Sequence, residues 1–151
     1  MLNKIARLIV IVFVITLFNH PLFADDTLIV PGERIGTFIP GEMSLVNVKE
    51  SLGKPDREGQ TCMGIIIQYN SAGLRFYFDP KTKKLNRIRT LNHQYHTDSG
   101  LAPGSDIAKA MQEFSCKKIS NKGILDCEQS GIIFYYDLTS EMITSISINS
   151  L

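Results

Sequence analysis

AGLRFYFD at residues 72–79 and SGIIFYYD at residues 130–137 decide how this chain is built, because the second restates the first 58 positions later. Carried through residues 72–90 against 130–148 without a gap, the offset aligns Gly73 with Gly131, Phe76 with Phe134, Tyr77 with Tyr135, Asp79 with Asp137 and Ile88 with Ile146. Self-similarity at a fixed period is the mark of a repeated supersecondary unit. Each copy is a glycine followed by residues that alternate in character, the period of a strand with one buried face.

Working outward, the same grammar recurs on both sides of the echo. Pro40-Gly41 and Pro103-Gly104 form turns that lead into short helices, with Ser44 and Asp106 as N-caps whose side-chain oxygens accept an otherwise unpaired helix-start N–H. Leu45, Val48 and Leu52 make one apolar helical stripe, and Ile107, Ala110, Met111 and Phe114 make the other. Gly53, with Pro55 beyond it, ends the first helix. A variable stretch follows, then an apolar run (IIIQY at 65–69, GILDC at 123–127), the glycine-led aromatic strand, and a final strand ending near Thr90 or Ile148. The connections Asp79-Pro80-Lys81-Thr82 and Asp137-Leu138-Thr139-Ser140 are hairpin turns by length and composition.

The predicted fold class is therefore α+β: two tandem repeats, residues 30–91 and 92–151, each a short helix packed on a three- to four-stranded antiparallel meander. A unit of roughly 60 residues buries too little surface to be robust alone, so the two are expected to pack together or join sheets. Alternation then assigns faces. With Leu74, Phe76 and Phe78 toward the helix, Arg75, Tyr77 and Asp79 point away, as do Ile133, Tyr135 and Asp137 in the second copy. On the next strand Ile88 points in, and Leu85, Arg87 and Arg89 are placed on the outer face.

Lys4 and Arg7 precede a run at residues 8–18 that is apolar except for Thr16, followed by a small residue, Ala24, and then Asp25-Asp26, the pattern of a secretory signal peptide over residues 1–24. The eleven residues of this run fall short of the roughly 18 a membrane-spanning helix needs. Cleavage after Ala24 removes Lys4 and Arg7 and no acid, leaving 127 residues with 14 basic and 15 acidic side chains, a net charge of −1. That balance implies no global attraction to nucleic acid or to an anionic membrane, and the length suits one domain of ordinary size. The expected location is periplasmic or secreted. Of the three cysteines, Cys116 and Cys127 are the favoured disulfide, since they lie at a helix end and in a strand of one unit, with Cys62 left over. Three free, buried thiols are the alternative.

The search for chemistry returns no HExxH, no GxSxG, no Cys-x-x-Cys, no phosphate loop and no dinucleotide fingerprint, so no catalytic, cofactor-binding or metal-binding residue is assigned. His93, His96 and Asp98 are of metal-ligating types, but positions three apart in an extended segment face opposite ways, which favours a polar linker. Cys62 has no local histidine to activate it as a nucleophile. Lys81, Lys83, Lys84, Arg87 and Arg89 form a basic run that either meets an anionic lipid or an acidic protein, or protects the sheet against edge-to-edge pairing. Tyr77 and Tyr135 are either interface anchors or cross-strand partners within the sheet.

The segment IGTFIPGEMSLVNVKESLGKPD at 35–56, read as a glycine-led strand, a Gly-x-Met-Ser turn, a valine-bearing helix and a closing Leu-Gly-x-Pro, resembles the opening motif of the SmpA/OmlA (BamE-like) outer-membrane assembly lipoproteins. The tandem arrangement is similar to that of the beta-lactamase inhibitory protein and its relatives. The resemblance implies a non-enzymatic protein that binds other proteins through a helix-backed antiparallel sheet. It lacks the lipid-attachment cysteine of the lipoproteins, and in the second copy the closing motif becomes Phe114-Ser115-Cys116-Lys117. The sequence thus points to an exported protein-binding module of the bacterial cell envelope, with Arg75, Tyr77, Arg87, Arg89 and Tyr135 as the partner-binding residues. An inhibitor of a periplasmic or secreted hydrolase is the alternative.

Overall fold

The computed structural model describes residues 25–61 and 64–150; the segment read as a signal peptide, residues 1–24, and Cys62 lie outside them. The fold is α+β. A short hairpin, β1 (Ile29–Val30) and β2 (Arg34–Ile35), leads to helix α1 (Leu45–Leu52) and four strands, β3 (Arg57–Thr61), β4 (Gly64–Tyr69), β5 (Leu74–Phe78) and β6 (Leu85–Thr90). Helix α2 (Ile107–Glu113) follows, then β7 (Lys117–Ile119), β8 (Ile124–Cys127), β9 (Ile132–Tyr136) and β10 (Ile143–Asn149). The last eight strands form one antiparallel sheet of order β3-β4-β5-β6-β10-β9-β8-β7. Two meanders are thus joined through their final strands, with Ile88 opposite Ile148 and Arg89 opposite Ser147 at the seam.

Alternation explains why one sheet face is dry. Ile67, Phe76, Ile88, Ile148, Ile132 and Cys127 are paired in register from strand to strand across both meanders, and all six are fully buried. Val48 of α1 and Ile107 and Ala110 of α2 belong to the same hydrophobic cluster, so a single core lies between the helices and the sheet. No helix among the described residues is long and apolar enough to cross a membrane.

Local chemistry sets the element boundaries. The Ser44 side chain accepts from Asn47 N–H, and Asn47 Oδ1 accepts from Ser44 N–H, closing a reciprocal cap on α1. Asp106 Oδ1 caps α2 by accepting from Ala108 N–H. The β5–β6 and β9–β10 turns use the same bonds 58 residues apart: Asp79 Oδ1 accepts from Lys81 and Thr82 N–H, and Asp137 Oδ1 from Thr139 and Ser140 N–H. Lys83 (φ 59°) and Glu141 (φ 54°) take the same left-handed conformation. Gly73 (φ 64°) and Gly131 (φ 63°) are left-handed as well, and a Cβ on Gly73 would lie 2.7 Å from Asn92 Cβ.

Four expectations need correction. Leu85 is fully buried rather than on the outer face, because a β-bulge at Asn86 shifts the phase of β6: Phe78 pairs with Leu85 but Tyr77 with Arg87. The same bulge occurs at Thr144, between Ile143 and Ser145. Residues 36–39 are not a strand; Gly36 turns left-handed (φ 57°), where a Cβ would strike the Asp26 carbonyl oxygen, and Phe38 N–H donates back to Ile35 O. Met111 is 47% exposed, because the buried positions of α2 are Ile107 and Ala110 and Met111 lies off them; Phe114 packs from the cap, its ring 5.7 Å from that of Phe134. Finally, the variable stretches hold the edge strands β3 and β7, whose sequences REGQT and KKI show no apolar alternation and whose residues are mostly exposed. Charged side chains on an edge discourage pairing with another sheet.

Cys116 and Cys127 form a disulfide, tying the start of β7 to the end of β8 across an 11-residue separation. His96 serves the fold: its N–H donates to Thr27 O and its carbonyl accepts from Ile29 N–H, holding the N-terminal segment against residues 92–100. His93 and Asp98 are exposed, and among the described residues no three His, Cys, Asp or Glu side chains gather closely enough to hold a metal.

Candidate functional site

The sheet face away from the helices carries the five residues singled out from sequence. Arg75 and Tyr77 stand on β5, Arg87 and Arg89 on β6, and Tyr135 on β9, all half-buried. Register brings them together. Arg75 lies opposite Arg89, and Tyr77 opposite Arg87. The β6–β10 seam carries Arg89 to the second half, where its guanidinium lies over the Tyr135 ring, 3.6 Å from the centroid. The Arg87 guanidinium is 5.8 Å from the centroid of Tyr77.

Each arginine is held by a neutral acceptor. Arg75 Nη2 donates to Gln68 Oε1 (2.9 Å), Arg87 Nε to Asn149 Oδ1 (2.8 Å) and Arg89 Nε to Ser145 Oγ (2.8 Å). The two ion pairs among the described residues, Lys49–Glu58 and Lys118–Glu141, involve none of the three. A second donor, Arg75 Nε, is buried and has no hydrogen-bond partner among the described residues. The consequence is a preorganised positive surface: neutral acceptors orient a guanidinium without cancelling its charge, and each guanidinium has five N–H donors in a planar fork.

A groove of about 380 Å³ opens at one end of this face. Ile66 and Tyr77 supply its apolar wall, while Arg87, Asn86, Asn149 and Thr61 are polar lining. On the other half of the sheet the outward positions of β9 and β8 are Ile133, Tyr135, Ile124 and Asp126, so the surface passes from basic to apolar with one acidic side chain. The basic run read from sequence does not act as one patch. Lys81, Lys83 and Lys84 sit on the β5–β6 turn beside the start of α1, where Lys84 Nζ donates to Glu42 O and Leu45 N–H donates to Lys83 O.

The sequence places Ser145 and Ser147 on the outer face, at the positions that match Arg87 and Arg89, but assigns no role to them or to Gln68 and Asn149. Ser145 and Ser147 are buried on the outer face beside Arg89: Ser147 lies opposite it across the seam, and Ser145 Oγ accepts from its Nε. Their small size opposite the arginines is a signal, but it becomes visible only once β10 is known to pair with β6.

No protein-family model matches the chain, and no curated protein matches its sequence. Among solved structures it is similar to an extracellular protein containing a SCP domain from Bacillus anthracis str. Ames, with a TM-score of 0.55 and 12% identity over 70% of this chain and 42% of that one. It is also similar to a cysteine-rich secretory protein from Staphylococcus aureus subsp. aureus Mu50, with a TM-score of 0.53 and 14% identity over 80% of this chain and 47% of that one. A further match is the uncharacterized protein yfeY from Escherichia coli, with a TM-score of 0.48 and 12% identity over 79% of this chain and 95% of that one. The chain spans less than half the length of the first two, and at these identities the likeness is one of fold.

Proposed function

We propose that this chain is an exported, non-enzymatic protein-binding module of the bacterial cell envelope, built as two tandem helix-plus-meander repeats, that recognises a partner with its outer sheet face. The observation that carries the reading is the arginine set: Arg75, Arg87 and Arg89 are oriented by neutral side chains, flanked by Tyr77 and Tyr135, and paired with no acid among the described residues. Rigid aromatics beside arginine are the residue types that dominate protein interfaces. The described groove lining holds Arg, Tyr, Asn, Thr, Ser and apolar residues, a set suited to binding rather than to general acid–base work at neutral pH.

Export accords with the signal-like segment 1–24 and with the Cys116–Cys127 bridge, since disulfides persist in oxidising compartments. It also accords with the extracellular and secretory descriptions of two proteins that share the fold. The repeat reading is supported by the shared turn chemistry of Asp79 and Asp137 and by the bulges at Asn86 and Thr144, both 58 residues apart. The resemblance to the SmpA/OmlA and beta-lactamase inhibitory proteins stays part of this proposal, resting on residues 35–56 with their Ser44 cap and Gly53 stop.

The test is a photo-crosslinking amino acid placed at Tyr77 in the native envelope. A discrete crosslinked product is expected, absent when Arg87→Glu is added and absent when the crosslinker stands at Lys109 on the helical side. A product that persists with Arg87→Glu, or that forms equally from Lys109, rejects the outer face as the binding surface.

A further inference from the structure

We infer that the outer face takes carboxylates, presented at every second residue of an extended acidic segment of a partner protein, with apolar side chains on either flank. The inference rests on the proposal that this face is the binding surface, and adds the chemistry of what it binds.

Charge is the first argument. A guanidinium matches a carboxylate in a bidentate, charge-assisted pair, which is stronger than a bond to a neutral acceptor. Here all three are held by an amide or a hydroxyl oxygen, so their orientation is set and their charge left available. Arg75 and Arg89 stand directly opposite each other on neighbouring strands, an arrangement that like charges disfavour. An anion between them turns that repulsion into two attractions.

Spacing is the second argument. Arg87 and Arg89 are two residues apart on β6 and point the same way, which separates their positions by about 6.8 Å along the strand. An extended peptide repeats its own side chains on one face at the same interval, so acids at i and i+2 meet Arg87 and Arg89 together. Apolar surface lies beside the arginines: Ile66 and Tyr77 share the groove with Arg87, and the Tyr135 ring lies under Arg89. A segment mixing acids with apolar residues fits this face better than a bare polyphosphate, which has nothing to place on Ile66 or the tyrosines.

Titration of the purified chain with the peptide Ac-LSESESL-NH2 tests the inference, read by the Nε–H resonances of the arginines in 15N NMR. All three resonances are expected to shift and saturate together, and raising NaCl from about 0.05 to about 0.5 M is expected to weaken binding several-fold. Arg89→Gln should weaken it by about tenfold. Arg87→Gln, at the half-exposed edge of the groove, should do the same and provides a second variant if the first disturbs the fold. Lys109→Gln should have no effect. The neutral Ac-LSQSQSL-NH2 and the out-of-phase Ac-LSESSEL-NH2 should both bind more weakly. Equal binding of the neutral peptide overturns the inference. So does a response of these three resonances to tripolyphosphate or to phosphatidylglycerol vesicles with none to Ac-LSESESL-NH2. If the acidic peptide fails while the Tyr77 crosslink still depends on Arg87, the carboxylate chemistry falls alone; if the crosslink persists with Arg87→Glu as well, the face falls with it.

Discussion

Asp79 and Asp137 each accept two backbone N–H groups and one hydroxyl with a single carboxylate oxygen. The backbone N–H of Thr82, followed by its hydroxyl, holds the Asp79 carboxyl below the usual 3.8, and the N–H groups of Ser140 and then Thr139 do the same for Asp137. A depressed folded-state value means that the ionised form stabilises the native turn. The contribution is complete above the unfolded-state value and is lost as pH falls through the lower folded-state value. The expected result is a urea midpoint that these two groups leave flat from pH 7 to about 5 and lower once the solution drops below about 4. The Asp79→Asn/Asp137→Asn double variant should lose less stability over that acid range than the parent; an identical acid limb would show that the turns do not titrate.

At the scale of elements, the pairing of β5 with β6 sets Arg75 against Arg89 and leaves Arg75 Nε without an acceptor. Replacing Arg75 with Met keeps the stem that covers the sheet and removes both the repulsion and the orphaned donor. Arg75→Met is therefore expected to raise stability by about 0.5–1 kcal/mol while weakening partner binding, a trade seen where function holds a charge in place. Thermal unfolding beside the crosslinking assay checks both halves, and a loss of stability would show that the bond to Gln68 outweighs the repulsion. In the second meander, β7 is short and polar, and the Cys116–Cys127 bridge ties it to β8. Loop-closure entropy for this separation predicts that the Cys116→Ser/Cys127→Ser variant loses about 3 kcal/mol. Denaturant melts give that value, and thiol titration of the unfolded, unreduced chain should find Cys62 reactive and the other two not.

At the scale of the molecule, the β6–β10 seam makes two meanders into one sheet over one core. Ile148 is fully buried between Ile88 and Ile132 at that seam. Truncating it removes packing from both halves at once. Ile148→Ala is expected to lower stability by about 2–4 kcal/mol in a single transition. Amide exchange in β4 and in β8 should rise together; faster exchange confined to the second half would mean that the halves unfold separately.

What could be read from the chain alone was whatever depends on neighbours in sequence. The strand phase of residues 74–78 and 132–136, the Ser44 and Asp106 caps, the Asp-led turns and the choice of Cys116 with Cys127 follow from side-chain period, backbone preference and short loops. Leu85 escaped that logic because an extra residue at Asn86 reverses the alternation without leaving a mark in the pattern. The edge strands escaped it because neither face of REGQT is buried. Only the tertiary structure decided that the two meanders meet through β6 and β10, and hence that Arg89 reaches Tyr135, Arg87 reaches Asn149, and Ser145 and Ser147 make room for them. The two hydrogen bonds among those contacts join residues 62 and 56 positions apart, and a pairing at that distance depends on which strand edges are left open after each meander has formed, not on any local period.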